Sequence, residues 1–243
     1  MKVELISWTK NPLMTCAEAA SMCYDSEPSL KVLKGCIKTG HWSVLEHASF
    51  TFRITDISRS CSHQLVRHRI ASYSQQSQRY VKVDNPKWVF PMDYMPELDF
   101  EEKEFFESVM TESCNLALNT YKNLMDEYKE RISDSDKGEK EFSRSVLPNA
   151  TPTSIVVTMN LRTLINFFNE RLCKRAEREI RAVATKMKKA ICHCPEISAM
   201  EWDVIKTVLV PKCMRYEIPF CPEYQGCGMY KSLKELVGEG RGE

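Results

Sequence analysis

Apolar and polar residues alternate where the chain begins. Val3, Leu5 and Trp8 stand against Lys2, Glu4 and Ser7, a period of two that predicts a strand over 2–9. Ala48 to Ile54 alternates in the same way and predicts a second strand over 48–57. The β-branched run Ile155-Val-Val-Thr-Met159 predicts a central strand. Elsewhere the period is helical. Thr15 with Glu18 three residues on has the form of a capping box, and the helix it opens runs to about Tyr24. Ser29 caps a second helix with Leu30, Leu33 and Ile37 on one face, and Gly40 stops it. Ser58 opens a third. In it Cys61 and Leu65 face inward, while Gln64, Arg67 and His68 share another face. After Ile70 no apolar residue recurs at helical spacing, so a polar loop is expected. The longest helix spans 101–131, with Phe106, Met110, Cys114, Ala117, Tyr121, Leu124 and Tyr128 as its stripe and three acids in its first turn. Ser133–Lys140 reads as a polar linker, and a short helix through Phe142 and Val146 ends before Pro148. From Leu161 to Ala190 one more helix is expected, its second half carried by Leu172, Ala176, Ile180, Val183 and Met187. Short strands among helices predict an α/β or α+β fold in a single domain, residues 1–243.

Charge narrows the possible partners. With 34 basic and 33 acidic residues the net charge is +1, so no global field draws the chain to nucleic acid or to an anionic membrane, and any anion site must be local. No G-x-G-x-x-G and no G-x-x-x-x-G-K-[ST] occurs. No apolar run approaches the ~20 residues of a membrane span, and the N-terminus lacks the form of a signal peptide. A cytoplasmic protein is expected, with its 11 cysteines as reduced thiols. Cys192, Cys194, Cys213, Cys221 and Cys227 gather in the tail, 191–243, at spacings looser than zinc pairs, and read as free thiols. His41, Glu46 and His47 do not form H-E-x-x-H, so no metal is assigned to them.

One stretch departs from any core pattern. Residues 63–80 hold Arg67, Arg69 and Arg79 with His63, His68, four glutamines and three serines, and no acid. Nothing inside the stretch pairs its cations, so their partner is an acid elsewhere or an anionic ligand. Arginine's planar fork suits phosphate, and glutamine and serine add neutral hydrogen bonds.

The order R-H-R-x-x-S-x-x-x-x-S-x-R, from Arg67 to Arg79, resembles the signature of the flavin-dependent thymidylate synthases. Upstream, Gly40-His41-x-Ser43-x-x-Glu46-His47 and Gln64 match as well. So do Arg144-x-x-Leu147-Pro148, Asn160-x-Arg162, Asn166 and Arg171 downstream, so that the resemblance covers about 35–185. It implies that family's α/β fold: a mixed sheet with flanking helices and one long helix. It also implies a homotetramer whose sites lie between subunits. The implied activity is reductive methylation of deoxyuridylate (dUMP) to thymidylate, with 5,10-methylenetetrahydrofolate as carbon donor and FAD, reduced by NADPH, as hydride carrier. Carried over by position, His41, Ser43, Glu46, Arg67, His68, Arg69, Gln75, Asn160, Arg162 and Asn166 are implied flavin contacts. Gln64 and Arg67, the loop Gln75, Gln76, Ser77, Gln78 and Arg79, and Arg144 and Arg171 are implied nucleotide contacts. Arg171 is the implied catalytic residue, stabilising negative charge on the pyrimidine so that no cysteine nucleophile is needed. Where the family has Asn-Glu this chain has Ser74-Gln75, which keeps an acceptor and loses a charge. Two other classes stay open from the residues alone. One is a nucleotide-binding module without chemistry, and the other an enzyme with a cysteine nucleophile.

Overall fold

The computed structural model describes residues 1–132 and 135–239. Strand β1 is Lys2–Trp8, followed by helices α1, Pro12–Tyr24, and α2, Leu30–Thr39. A 3-10 helix, Trp42–His47, leads into β2, Ser49–Ser58, helix α3, Arg59–Leu65, and β3, Ala71–Gln75. The long helix α4 is Phe100–Ile132, and α5 is Asp136–Ser143. Strand β4, Pro152–Asn160, is followed by α6, Leu161–Arg171, α7, Arg178–Cys192, α8, Ala199–Ile205, and α9, Leu233–Glu239. The strands pair in the order β1-β2-β4-β3, which makes β4 a central strand as its residues predict. Every pairing is antiparallel where the resemblance implied a mixed sheet. At one end Arg59 N–H donates to the Thr151 carbonyl, and at the other Leu161 N–H donates to that of Ala48. No helix among the described residues is long and apolar enough to cross a membrane.

Two compact units divide the chain. The first comprises Met1–Lys2, Ile54–Arg67 and Tyr73–Val156. Its core joins Trp88, Phe90 and Met92 to Cys114, Leu118, Tyr121 and Met125 of α4. Cys114 and Tyr121 belong to the stripe read from the sequence. Leu118 and Met125 replace Ala117 and Leu124 at the centre of the buried face, and Phe106 lies outside it. The linker expected over 133–140 falls partly outside the described residues, and from Asp136 it is α5, capped by Ser135 through Gly138 N–H.

The second unit comprises Val3–Arg53, His68–Ser72 and Val157–Glu243. Leu13 and Ala17 of α1, Phe50 and Phe52 of β2, Leu164, Phe167 and Phe168 of α6, and Ile180, Val183 and Met187 of α7 are fully buried. Ser29 caps α2 through Val32 N–H, and Gly40 ends it at φ 78°, a left-handed turn that glycine adopts without strain. Helix α1 departs from the reading. It starts at Pro12, whose fixed φ suits a first helical position, and Thr15 lies inside it with its hydroxyl on the Lys10 carbonyl. The helix expected over 161–190 is two. It stops at Arg171 and restarts at Arg178, where the Glu177 carboxylate accepts from Glu179 and Ile180 N–H.

Candidate functional site

In the second unit the signature histidine meets the end of α6. His68 Nε2 accepts a hydrogen bond from Arg171 Nε at 2.9 Å, and its ring packs edge-on against Phe167 at 4.9 Å. Burial, and then the Arg171 charge, hold the imidazole below its ordinary pKa against the smaller pull of Glu170. His68 is therefore neutral at pH 7, and its Nε2 is the acceptor nitrogen. Arg171 is the last residue of α6, where the helix dipole favours a cation.

Residue Ile70 follows at φ 66°, 80% exposed, a strained conformation for a β-branched side chain. Its carbonyl is held by the Thr163 hydroxyl at 3.2 Å. Arg69 is exposed and has no partner among the described residues.

Helix α6 carries three of the implied flavin contacts. Asn160 caps it, Oδ1 accepting from Thr163 N–H at 2.8 Å. Arg162 and Asn166, four apart, share its exposed face. Arg162 Nη1 is paired with Glu46 Oε1 at 2.5 Å. Glu46 and Ser43 lie three apart on the 3-10 helix, and both are exposed. His41 Nδ1 is hydrogen-bonded to the Tyr24 hydroxyl at 2.8 Å.

The first unit holds the rest. The face expected to join Gln64, Arg67 and His68 does not form, because α3 stops at Leu65, whose carbonyl accepts from the Tyr73 hydroxyl at 2.9 Å. Arg67 is exposed beyond that end, its N–H on the Gln64 carbonyl and its guanidinium without a partner among the described residues. The loop expected after Ile70 is the strand β3, and Gln76 N–H still pairs with the Ser154 carbonyl. Gln75 is committed to the fold: Nε2 donates to Ser62 Oγ at 2.9 Å and to Thr153 Oγ1 at 3.2 Å. Gln76, Ser77 and Gln78 line a cavity of about 150 Å³ together with Asp84 and Thr153. Ser77 Oγ accepts from Arg79 N–H at 3.2 Å. Asp84 is tied to Lys122 at 2.7 Å, and that contact holds its carboxyl below the usual range. Arg79 is itself ion-paired with Glu141, through Nη2 at 2.8 Å and Nε at 2.9 Å.

Arg144 has a companion that the sequence reading missed. The first residue of α3, Arg59, is lowered from its ordinary pKa by burial and then by the charge of Arg144. The two guanidinium charges are near enough to repel each other. Ser58 as a helix cap was the one signal that placed Arg59 at a helix start. Among the thiols, burial pushes Cys16 up to about 12 and raises Cys114, Cys194 and Cys213, which disfavours the thiolate a nucleophile requires.

Residues 4–195 match the family model described as thymidylate synthase complementing protein. The chain belongs to that family. The matched span includes every candidate residue from His41 to Arg171 and ends at residue 195. Relatives agree. The chain is 40% identical to the flavin-dependent thymidylate synthase of Pyrococcus furiosus, over 92% of this chain and 90% of that one. It is 36% identical to the protein of the same name from Clostridium tetani, over 97% and 96%. A third of that name, from Geobacter sulfurreducens, is 43% identical over 79% and 82%.

Proposed function

We propose that this chain is a flavin-dependent thymidylate synthase that methylates dUMP reductively, with methylenetetrahydrofolate as carbon donor and NADPH as reductant of FAD. The observation that carries the reading is the match to relatives of that name along more than nine-tenths of the chain. Bound flavin supplies a two-electron carrier between the nicotinamide and the carbon being reduced. The residues present fit it. Arg67 and Arg69 are exposed guanidinium groups with no partner among the described residues, as a pyrophosphate requires. Asn160 has its Oδ1 engaged by the helix and keeps its amide N–H₂ as donor. Ser43, Glu46, Arg162 and Asn166 present polar groups on exposed faces, with His41 steadied by Tyr24 and His68 by Arg171.

For the nucleotide we assign Arg144, joined by Arg59, to the phosphate, and Gln64, Gln76, Ser77 and Gln78 to neutral hydrogen bonds. Arg171 is assigned to the pyrimidine. C5 of uracil is a poor nucleophile, and stabilising negative charge at N3 and its flanking oxygens raises electron density there. Arginine stays protonated at any working pH, so it serves as the electrostatic partner and not as the base. Its Nε–H is held by neutral His68, which fixes the orientation of the guanidinium. The implied homotetramer is part of the proposal. Phe100, Phe105, Val109 and Leu116 of α4 are exposed, an apolar surface that association between copies would cover.

The test is the absorbance spectrum of the purified protein, followed by thymidylate formation from dUMP, methylenetetrahydrofolate and NADPH. A yellow protein that needs all three is expected. A colourless protein that takes up no FAD, or turnover that persists without flavin, overturns the reading.

A further inference from the structure

Trp42 stands between His41 and Ser43, two residues assigned to the flavin, and opens the 3-10 helix Trp42–His47. That helix is a weak element. Hydrogen bonds in a 3-10 helix are poorer than in an α-helix, and of its residues only Val44 and Leu45 are buried. Polar groups presented to a ligand from such an element must be held from elsewhere. His41 is held by the Tyr24 hydroxyl and Glu46 by Arg162. The side chain of Ser43 has no hydrogen-bond partner among the described residues.

The indole between them is fixed at its edge and on its face. Trp42 Nε1 donates to the Ile37 carbonyl of α2 at 3.1 Å, and the Trp42 N–H donates to the Gly40 carbonyl at 2.9 Å. On the face lies Arg215, its Cζ 4.0 Å from the ring centre. Both residues are half-buried, and both belong to the second unit. Arg215 is delivered there by the 3-10 turn Lys212–Met214, in which Met214 N–H donates to the Pro211 carbonyl at 2.9 Å and Arg215 N–H to that of Lys212 at 3.2 Å.

The state of the guanidinium shows what the contact is for. Arg215 Nε is buried and has no hydrogen-bond partner among the described residues. A buried donor left without an acceptor costs free energy and calls for an explanation. An arginine that only braced the tail would place Nε–H on a carbonyl or a carboxylate. Arg215 instead lies on indole, the best aromatic partner for a cation. Residue 215 is beyond the family match, which ends at residue 195.

We propose that Arg215 is a positioning residue for the flavin site: its guanidinium clamps the Trp42 indole and so fixes the backbone that presents His41 and Ser43. The inference rests on the assignment of those two residues to FAD. An element ordered before its ligand arrives lowers the cost of binding. Without the cation on the ring, FAD must itself order the 3-10 helix. The effect falls on flavin affinity and leaves the nucleotide alone, because the residues assigned to dUMP lie on other elements.

The experiment uses the full chain, stripped of FAD and titrated with it. Arg215→Met keeps a long stem and removes the charge. It should weaken FAD binding by about three- to tenfold, the size of one partly desolvated cation–π contact. Arg215→Lys returns a cation to the ring and should recover most of the loss. In a Trp42→Leu background Arg215→Met should change FAD affinity by less than about twofold, since the partner is already gone. The KM for dUMP at saturating FAD should stay near the wild-type value in Arg215→Met, which a general loss of structure would not allow. Wild-type FAD affinity in Arg215→Met, no recovery in Arg215→Lys, an undiminished effect without Trp42, or a KM for dUMP that rises along with the FAD constant each overturn the proposal. A wild type that takes up no FAD overturns the flavin assignment itself, and the clamp with it.

Discussion

Arg171 donates its Nε–H to Nε2 of His68, so the signature histidine and the end of α6 share one proton-dependent contact. The contact needs an unprotonated Nε2. Protonation would remove the acceptor and set an imidazolium against a guanidinium. The His68 pKa lies below the ordinary value of 6.5, burial first and Arg171 second. The sign follows from that direction. Between the lowered folded value and 6.5 the unfolded chain binds a proton that the folded one does not, so stability rises with pH across this window. Above 6.5 the cost vanishes. The thermal unfolding temperature of the wild type should therefore decline as pH falls below 6.5. His68→Gln keeps an acceptor near the Nε2 position and does not titrate, so the same decline should flatten. An equal decline in both proteins would assign it to other groups.

Arg171 itself should matter for turnover and little for flavin. Losing an electrostatic donor to a developing anion lowers turnover by about 10²–10³-fold. Arg171→Ala should show that loss with flavin content near normal. Arg171→Lys should rescue poorly, since an ammonium has no Nε–H to keep on His68 while it presents a planar fork. Thymidylate formation under saturating dUMP, with flavin absorbance as the control, checks both. Near-normal turnover in the alanine variant would move the role elsewhere. Arg79 is a weak successor, because Glu141 already holds it.

Gln75 stands where the family has a carboxylate, and its environment calls for a donor. Ser62 Oγ spends its own proton on the Arg59 carbonyl at 2.9 Å, so towards Gln75 it can only accept. A carboxylate there would face a lone pair. Gln75→Glu should lower stability by about 1 kcal/mol, the net worth of one neutral hydrogen bond. Urea unfolding at neutral pH measures it, and a midpoint unchanged or raised would mean that the hydroxyls rearrange to donate.

Local rules were legible and distant ones were not. Ser29, Gly40 and Ser58 act on their own neighbours, and the ends of α2 and the start of α3 follow from them. The break between α6 and α7 did not follow, because Leu172 and Ala176 continue the apolar spacing through it, while Glu177 starts a new helix. Strand β3 is a polar edge strand whose identity depends on its neighbour β4, and no alternation announces it. The candidate site divides in the same way. Residue types came from the order of the motif. Their partners are separated by long stretches of chain: Tyr24 for His41, Glu141 for Arg79 and Glu46 for Arg162. Spacing carries no signal for such pairs. Polar residues that order each other across the fold leave no period in the chain.

Ser77 sits in the signature, and a serine there invites a nucleophilic reading. Its surroundings oppose that. A serine attacks only when a base takes its proton. The hydroxyl oxygen of Ser77 accepts from Arg79 N–H, and the carboxylate that lines the same cavity, Asp84, is neutralised by Lys122. An acid whose pKa is held down by an ammonium is a poor general base. The hydroxyl is better suited to one neutral hydrogen bond with the nucleotide while it fixes the turn into Arg79. Losing such a bond costs about 0.5–1.5 kcal/mol, or up to about tenfold in an equilibrium constant. Ser77→Ala should therefore weaken dUMP binding by no more than about that factor, keep its flavin, and retain measurable thymidylate formation when dUMP is saturating. Nucleotide titration of the flavin spectrum gives the binding, and turnover at saturation gives the chemistry. A variant that bound dUMP and flavin normally but lost turnover completely would restore the nucleophile and require a base for it.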